Sequence, residues 1–473
     1  MTRGTQGWVT ISVAEGRVAG TGGRVLRWAG PTAVALLTSV VGLHRLGEKS
    51  FWIDEGSTGL AVLSPWSSLW VTATQHEPNL GLYYSLLKVW SVLGTSEFVL
   101  RLFSVLCMAA TAPLVYLIGR RLFSFRAGLI GGVLFGVNTF VLRYAQEARP
   151  YALGVLTVTL ASFLFLVALE KESTRWWSAY VMSAFVATFA DPWGVTVIVA
   201  HIFAMFFQPR RPQWKMIAIA GLVAAAILGP FIFRLMTTDV GRVKWIPPTT
   251  WHGFIGTLEN LAGGTRLLLW LYMAASLLAL AAIVRSRRLN WPILYASLLF
   301  VMPVVLILAA SMVKPVFITR YTIVALPGFV VLVAAGLDRL RFASVVTLAT
   351  AVFVVVAVLG LGRWYDDSQV KTDWRAAVAL VTEHKVPGDV VLIHRQGRGA
   401  FLYYENSLRV AWLNNALSKM SEVVQLDRIW LVLYPPPADA LAVDFQDALA
   451  QTHRLAGKRL VDGITLFLYV KRS

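Results

Sequence analysis

Two adjacent acidic residues, Asp54 and Glu55, stand a few residues after the first long apolar run, in the segment FWIDEG. The surrounding residues 47–96 are semi-apolar, and a carboxylate there is costly to desolvate unless it has a partner or a task. A fixed carboxylate can take a proton from a hydroxyl nucleophile, as a general base does. This chemistry fits Asp54, and a pair of solvated loop acids is the alternative interpretation.

The composition indicates what kind of scaffold must hold these acids. Of the 473 residues, 57% are hydrophobic and only 14% are charged, which lies outside the range of soluble globular domains. The apolar residues gather in runs of roughly 17 to 23, each long enough to cross about 30 Å of hydrocarbon as a helix. The sequence therefore predicts an integral membrane protein with many transmembrane helices.

The positions of the basic residues predict how the chain is threaded. The net charge of +18 comes from clusters in short loops between apolar runs, which argues against nucleic-acid binding. If every cluster is cytoplasmic, residues 1–27 form a cytoplasmic N-terminal segment and residues 28–363 a membrane module, whose first external loop is 47–96. Roughly eleven spans are expected, near 28–46, 97–119, 127–144, 152–170, 176–190, 193–208, 216–236, 267–284, 291–311, 321–337 and 344–363.

The residues after the last span have a different composition. Residues 364–473 are typical of a small α/β domain, which the threading places outside the membrane together with the C-terminus. One helix is predicted at Trp374–His384, and four strands at Asp389–His394, Arg409–Leu413, Arg428–Tyr434 and Ile464–Val470. The single cysteine, Cys107, lies in an apolar run, so no disulfide can form within the chain.

Several segments together resemble a known group of membrane enzymes. They are FWIDEG, HEPNLGLYYSLLKVW followed by SEFVLRLFSVL, YAQEARPYAL, and PVFITRYTIVALPG near the last spans. In order and placement they resemble the GT-C superfamily of polyprenyl-phosphate-sugar-dependent glycosyltransferases. More narrowly, they are similar to the bacterial protein O-mannosyltransferases and aminoarabinose lipid transferases of the glycosyltransferase family 39 type. The segment KTDWRAAVALVTEHKVPGDVVLI also resembles the start of the external domain that many members carry.

The resemblance implies roles for residues outside the predicted spans. Asp54 matches the catalytic aspartate of the family, and Glu55 matches its acidic neighbour, which would orient the acceptor or the base. Further matches are to polar motifs that line the same cavity, and these are His76, Glu77, Glu147 and Arg149. The first two precede the stretch from Leu80 to Leu93, which is too short to span and is predicted to lie in the membrane surface as a helix.

A donor phosphate needs cations near the outer interface while its isoprenoid tail stays in lipid. Arg320 lies at the outer end of a late predicted span and matches the family's phosphate-facing arginine. Tyr321 lies beside it and Lys314 lies upstream, and the resemblance implies that all three bind the donor phosphate. The alternative is an interfacial anchor whose long side chain reaches toward water.

These expectations amount to an inverting glycosyltransferase that moves a hexose or pentose from a polyprenyl-phosphate carrier to an envelope lipid, glycan or protein. No Gly-rich phosphate loop follows a strand, which argues against a nucleotide-sugar donor. A divalent metal ion is compatible with this chemistry, but no ligand spacing requires one. The expected location is the plasma (inner) membrane. The alternative function is a membrane transporter or flippase of a glycolipid, which would use the same acids and arginines as a substrate path.

Overall fold

A computed structural model describes most of the chain. Its described residues are 21–77, 80–208, 246–286, 289–366, 371–393, 397–413, 420–434 and 440–472, with isolated positions between 209 and 245. The predicted span near 216–236 and most of the predicted segment 1–27 lie outside the described residues.

Helices account for most of the described chain. In chain order they are α1 (Thr21–Leu43), α2 (Ile53–Leu63), α3 (Trp66–Val71), α4 (Gly81–Trp90), α5 (Glu97–Leu122), α6 (Phe125–Gly136), α7 (Thr139–Ala145), α8 (Tyr151–Lys171), α9 (Thr174–Ala190), α10 (Val195–Phe206), α11 (Trp251–Ala262), α12 (Arg266–Ser286), α13 (Trp291–Ser311), α14 (Leu326–Leu337), α15 (Ala343–Asp366), α16 (Trp374–His384), α17 (Arg398–Tyr404), α18 (Met420–Val423) and α19 (Ala440–Thr452). A π-helical turn (Thr72–His76) continues α3, and 3-10 turns occur at Ser91–Leu93, Pro192–Gly194 and Thr319–Ala325.

Several of these helices meet the requirements for crossing a bilayer. Among the described residues, six helices are long and apolar enough, or seven if the bent pair α6 and α7 is one span. They include α5, α8, α12, α13 and α15. The protein is therefore a multi-pass α-helical membrane protein, and the larger count of roughly eleven spans remains an expectation from the charge pattern.

The span predicted as one helix near 127–144 is broken. Helices α6 and α7 are bent by 57° at the break. Asn138 lies between them, and its side-chain oxygen accepts the backbone N–H groups of Phe140 and Val141 at 2.8 and 3.3 Å. Its amide nitrogen donates to the carbonyl of Leu261 at 3.0 Å. Asn138 thus caps a new helix start, which explains why the continuous apolar pattern does not give a continuous helix.

One sheet occupies the C-terminal part of the chain. Its strands are β1 (Val390–Ile393), β2 (Arg409–Trp412), β3 (Arg428–Leu433), β4 (His453–Val461) and β5 (Ile464–Lys471), in the spatial order β2-β1-β3-β5-β4. β1 pairs in parallel with β2 and β3, whereas β5 is antiparallel to β3 and β4. Four strands agree with the prediction to within one residue at each end. β4 was not predicted because it is a mostly exposed edge strand without apolar alternation.

The chain divides into two compact units that interleave along the sequence. The first comprises Met1–Gly42, Val105–Arg143 and Tyr151–Leu361, and the second comprises Leu43–Ser104, Tyr144–Pro150 and Gly362–Ser473. The second unit thus joins the sheet and its helices to the first long loop and to the short link before α8. The last segment of the second unit begins at Gly362, next to the boundary predicted at residue 363, and the unit also includes two segments that precede α8.

Candidate active site

The carboxylate of Glu55 is the centre of a buried charge cluster in the second unit. Glu55 lies in the first turn of α2 and is 0% exposed. Nε and Nη2 of Arg101 donate to its two oxygens at 2.8 Å each. Nζ of Lys371 donates to Oε2 at 2.7 Å, and the backbone N–H of Ala148 donates to Oε1 at 2.9 Å. Because four donors occupy this carboxylate, a substrate could contact it only by displacing one of them.

Arg101 also fixes the turn that precedes α2. Its Nη1 donates to the carbonyls of Leu46 and Lys49 at 3.2 and 2.6 Å, and its Nη2 donates to the carbonyl of Ser50 at 2.9 Å. The guanidinium lies over the ring of Phe51, 4.9 Å from its centroid. A fork of several donors suits this task, and a lysine could not reproduce it. Arg101 therefore connects the start of α5 to the backbone segment that leads into α2.

Opposing charges set the ionisation of the cluster. Burial alone would raise the pKa of Glu55, but the positive charges of Arg101 and Lys371 outweigh burial and lower the pKa to about 2. Burial and the charge of Arg101 lower the pKa of Lys371 to about 8, although Glu55 and Glu147 act in the opposite direction. At neutral pH Glu55 is an ionised, fully paired carboxylate, and Lys371 is the member of the cluster nearest to losing its proton.

Asp54 is the accessible acid of the adjacent pair. Its side chain is 30% exposed, whereas that of Glu55 is 0% exposed. Nη2 of Arg149 lies 3.9 Å from Oδ2 of Asp54, and Nη1 of Arg149 donates to the Asp54 carbonyl at 3.4 Å and to the Thr58 hydroxyl at 3.2 Å. Two neighbouring carboxylates in such different surroundings suit different tasks. A reacting group can reach Asp54, while Glu55 is part of the framework.

A second polar pair lies near Arg149. The hydroxyl of Tyr84 donates to Oε2 of Glu77 at 2.5 Å. Burial raises the pKa of Tyr84 and the charge of Glu77 adds to this effect, whereas Arg149 and a hydrogen bond with Thr58 oppose it. Tyr84 is thus a neutral phenol at physiological pH. Through Tyr84, Glu77 joins the group formed by Asp54, Thr58 and Arg149.

Two predicted residues of this region remain, Glu147 and His76, and the structure describes the side chain of Glu147 alone. Glu147 is 2% exposed, and its charge acts on Lys371. The backbone of His76 ends the π-helical turn, and its side chain is not among the described ones. The second unit therefore brings Asp54, Glu55, Glu77, Glu147 and Arg149 together.

Close packing of two helices sets the position of α2. A Cβ atom added to Gly56 would lie 2.3 Å from the Cα of Ala400, and one added to Gly399 would lie 2.5 Å from the hydroxyl oxygen of Ser57. A Cβ added to Gly59 would meet the ring of Tyr403 at 2.6 Å. Glycine on both helices therefore lets α2 and α17 approach to backbone contact. The helix that carries Asp54 rests on the segment that follows β1.

A third polar group joins the same segments. Glu97, in the first turn of α5, is paired with Arg375 and accepts a hydrogen bond from the hydroxyl of Tyr404. Its Oε1 also accepts the backbone N–H of Phe51 at 3.3 Å. Arg375 donates in addition to the carbonyl of Gly47 at 3.2 Å. Helices α16 and α17 are thus connected to both ends of the turn that precedes α2.

The residues expected to bind a donor phosphate lie in the first unit. The guanidinium of Arg320 lies 6.0 Å from the ring centroid of Tyr151 and 5.8 Å from that of Tyr321. Tyr321 stacks on Trp193 with a centroid distance of 5.5 Å. Lys314 follows α13 and is partly exposed. Arg320 is therefore set among aromatic rings at the start of the 3-10 turn that leads into α14.

Sequence reasoning did not single out two central members of the Glu55 cluster. Arg101 was part of a quoted segment, but one arginine at the start of an apolar helix resembles an ordinary interfacial anchor. Lys371 opens a segment that was noted only as the start of a domain. Both are buried in the structure, with Arg101 1% and Lys371 6% exposed, and a buried cation requires an anionic partner. This burial cannot be read from one sequence.

The described residues include no group of three or more His, Cys, Asp or Glu side chains placed to hold a metal ion. A divalent ion therefore stays an expectation from the sequence, without a ligand group among these residues.

Comparison with protein families gives one match. Residues 76–234 match the family model described as dolichyl-phosphate-mannose-protein mannosyltransferase. This range begins at the polar patch before α4 and includes Glu147 and Arg149. It covers about a third of the chain, and a comparison with curated proteins by sequence gave no match.

Solved structures are similar over much greater lengths. ArnT from Cupriavidus metallidurans bound to undecaprenyl phosphate has a TM-score of 0.61 and 14% identity, with 95% of this chain and 98% of that chain covered. AglB, the archaeal oligosaccharyltransferase of Archaeoglobus fulgidus, in complex with an inhibitory peptide and a dolichol-phosphate, has a TM-score of 0.55 and 10% identity over 93% of this chain and 74% of that one. The arabinofuranosyltransferase AftD from Mycobacteria has a TM-score of 0.52 and 11% identity over 94% of this chain and 40% of that one. The chain therefore shares its fold with these three structures.

Proposed function

We propose that the protein is an inverting glycosyltransferase that takes a monosaccharide from a polyprenyl-phosphate carrier. The observation that carries the proposal is the division between the two adjacent acids. Asp54 is accessible and faces Arg149, whereas Glu55 is occupied by Arg101, Lys371 and the Ala148 amide. This arrangement supports one carboxylate that reacts and one that holds it in place. The likeness to ArnT bound to undecaprenyl phosphate supports the class of donor.

In the proposed reaction, Asp54 accepts the proton of an acceptor hydroxyl as the O–H bond breaks. The hydroxyl oxygen forms a bond to the anomeric carbon on the face opposite the phosphate. The bond between that carbon and the phosphate oxygen breaks, and its electron pair leaves with the polyprenyl phosphate. The configuration is inverted in one displacement, through a transition state with oxocarbenium character.

The other predicted residues take supporting roles in the proposal. Arg149 contacts both Asp54 and Thr58, and it orients the base. Lys314 and Arg320, with Tyr321, bind the donor phosphate and neutralise its charge as the leaving group departs. Cavity residues that contact the acceptor are His76, Glu77 and Glu147. Among these, Glu77 receives its hydrogen bond from Tyr84.

The proposal includes the orientation of the protein in the membrane. The positive-inside rule supports roughly eleven spans in the plasma membrane, with the predicted α/β domain 364–473 on the extracytoplasmic side. Asp54 and the sheet belong to one compact unit, so that both would be on that side. A donor sugar would be supplied there by its lipid carrier, and the acceptor would be an envelope lipid, glycan or protein.

A transfer assay tests the proposal. The purified protein is reconstituted in liposomes with a panel of radiolabelled polyprenyl-phosphate sugars and a bacterial envelope extract as acceptor. We expect the label of one donor to move to the acceptor, with inversion of the anomeric configuration. Movement of intact donor between leaflets without formation of a new glycosidic bond would instead establish the alternative, a glycolipid flippase.

A further inference from the structure

Lys371 joins the two segments that carry the proposed reacting group and its partner. Its Nζ donates to Oε2 of Glu55 at 2.7 Å and to the backbone carbonyl of Gln146 at 2.8 Å. Glu55 lies next to Asp54 at the start of α2, and Gln146 lies three residues before Arg149. The ammonium group therefore connects α2 to the short link that holds Arg149.

Two further contacts make the same connection. The backbone N–H of Ala148 donates to Oε1 of Glu55 at 2.9 Å, and the side-chain carbonyl of Gln146 accepts from the indole N–H of Trp364 at 3.2 Å. Trp364 lies in the last turn of α15, seven residues before Lys371. The link before α8 is thus held on one side by Glu55 and on the other by residues of the C-terminal part of the second unit.

We infer that Lys371 is a positioning residue of the proposed transferase: it fixes the separation of Asp54 and Arg149 by bridging Glu55 to the link 144–150. This inference rests on the proposed function. Lys371 does not touch the reacting atoms, because it is only 6% exposed and its hydrogen bonds go to Glu55 and Gln146. The C-terminal segment then takes part in the reaction geometry, in addition to any part it has in acceptor binding.

The charge of Lys371 gives the bridge a pH dependence that can be measured. The charged groups that act on its ammonium are Glu55 from α2, Arg101 from α5 and Glu147 from the link. Burial and Arg101 lower the pKa of Lys371 to about 8, against the two carboxylates. Above that pH a neutral amine would face the Glu55 carboxylate, and the bridge would weaken. An arginine at this position would stay charged throughout.

The test compares Lys371→Met and Lys371→Arg with Lys385→Met as a matched control. Lys385 is also paired with a glutamate, at 2.6 Å from Glu405, but lies at the surface of the C-terminal segment. We expect Lys371→Met to lower kcat about 10- to 100-fold with little change in the KM for the donor, because misplacement of a catalytic group by about 1 Å can cost up to about 100-fold. Lys385→Met should match the wild type.

The conservative variant separates positioning from general stability. Wild-type activity should fall on the alkaline side with an apparent pKa near 8. Lys371→Arg should keep most of the activity, and its alkaline limb should move to higher pH. A variant that merely folds less well would lose activity without moving the limb. If Lys371→Met does not insert, the profile of Lys371→Arg still decides the question.

Hydrogen exchange gives a readout that needs no substrate. In Lys371→Met, the backbone amides of residues 53–63 and 144–149 should exchange faster than in the wild type, while those of α13 should not change. Transfer by Lys371→Met at the wild-type rate, with an unchanged alkaline limb, would overturn the inference and leave the proposed function intact. Absence of transfer by the wild type would count against the proposed function. In that case, unchanged amide exchange in α2 and in the link of Lys371→Met would still overturn the inference that Lys371 bridges them.

Discussion

Glu55 and Arg101 face each other through two parallel hydrogen bonds of 2.8 Å in a site where neither side chain is more than 1% exposed. A buried ion pair of this kind contributes little net stability relative to apolar residues, but loss of one partner leaves an uncompensated charge. The pair also fixes the turn before α2 through three backbone carbonyls. The pair therefore holds the start of α2, the helix that carries Asp54.

Removal of the guanidinium should destabilise the second unit. Arg101→Met leaves Glu55 with Lys371 and exposes three carbonyls to an apolar side chain, and we expect a cost of about 3–5 kcal/mol. The matched control is Arg266→Met, because Arg266 is 73% exposed and its pair with Glu259 should contribute about 0–1 kcal/mol. Thermal unfolding of both variants in detergent, followed by size-exclusion chromatography, measures the difference. Equal unfolding temperatures would contradict the role assigned to Arg101.

The contact between α2 and α17 gives a prediction about a glycine. Gly56→Ala would place a methyl group 2.3 Å from the Cα of Ala400, a backbone atom that can yield only if a helix moves. We expect a lower unfolding temperature and a reduced kcat. Gly256→Ala is the control, since Gly256 lies within helix α11 and a Cβ atom there would meet nothing within 4 Å. That variant should be neutral or slightly more stable, by up to about 1 kcal/mol.

The ionisation of Glu55 predicts how stability depends on acid. Its folded pKa of about 2 lies below the ordinary value of 4.5, because the two cations outweigh burial. A depressed folded pKa contributes stability that is present above pH 4.5 and is lost as the pH falls toward 2. The contribution is on the order of 3 kcal/mol.

Glu55→Gln tests that contribution. The variant should unfold at a lower temperature at neutral pH, because Arg101 and Lys371 lose their counter-charge. It should also lose less stability than the wild type between pH 4.5 and pH 2. Unfolding temperatures measured across this range give the comparison, and parallel curves for the two proteins would show that Glu55 does not titrate as described.

Arg149 should affect activity more than stability. It contacts Asp54 and Thr58 at the accessible end of α2, so Arg149→Gln should lower kcat about 10- to 100-fold through misplacement of the base. The control Arg266→Gln also removes an arginine charge, at an exposed position of the other unit. Steady-state transfer assays compare the two. Wild-type kcat in Arg149→Gln would remove Arg149 from the proposed site.

The sequence was informative where a pattern is local. Apolar runs and the turn residues between them predicted most helices and four of the five strands. The length of an apolar run and the alternation of apolar and polar residues can both be read within a short window of sequence. The pair Asp54 and Glu55 was identified for the same reason, since adjacent acids near an apolar run are unusual. The break at Asn138 was missed because a single polar residue in an apolar run gives no strong signal.

The cluster around Glu55 could not be assembled from one sequence. Its hydrogen-bonding partners Arg101 and Lys371 are 46 and 316 positions away, and nothing in composition or spacing connects positions so far apart. For the same reason, the sequence does not show which earlier segments pack with the C-terminal segment. A change of composition near residue 363 is visible, but the packing of α2 against α17 joins the first loop to the C-terminal segment.

The central claim, that Asp54 is the base of a glycosyl transfer, is tested most directly by single-turnover transfer in Asp54→Asn. The control Asp366→Asn also replaces a carboxylate of the second unit, and its side chain is 80% exposed. Both variants should insert and unfold like the wild type. We predict that Asp54→Asn lowers the rate of sugar transfer by at least about 100-fold, while Asp366→Asn leaves it unchanged. Transfer by folded Asp54→Asn at the wild-type rate would contradict the account.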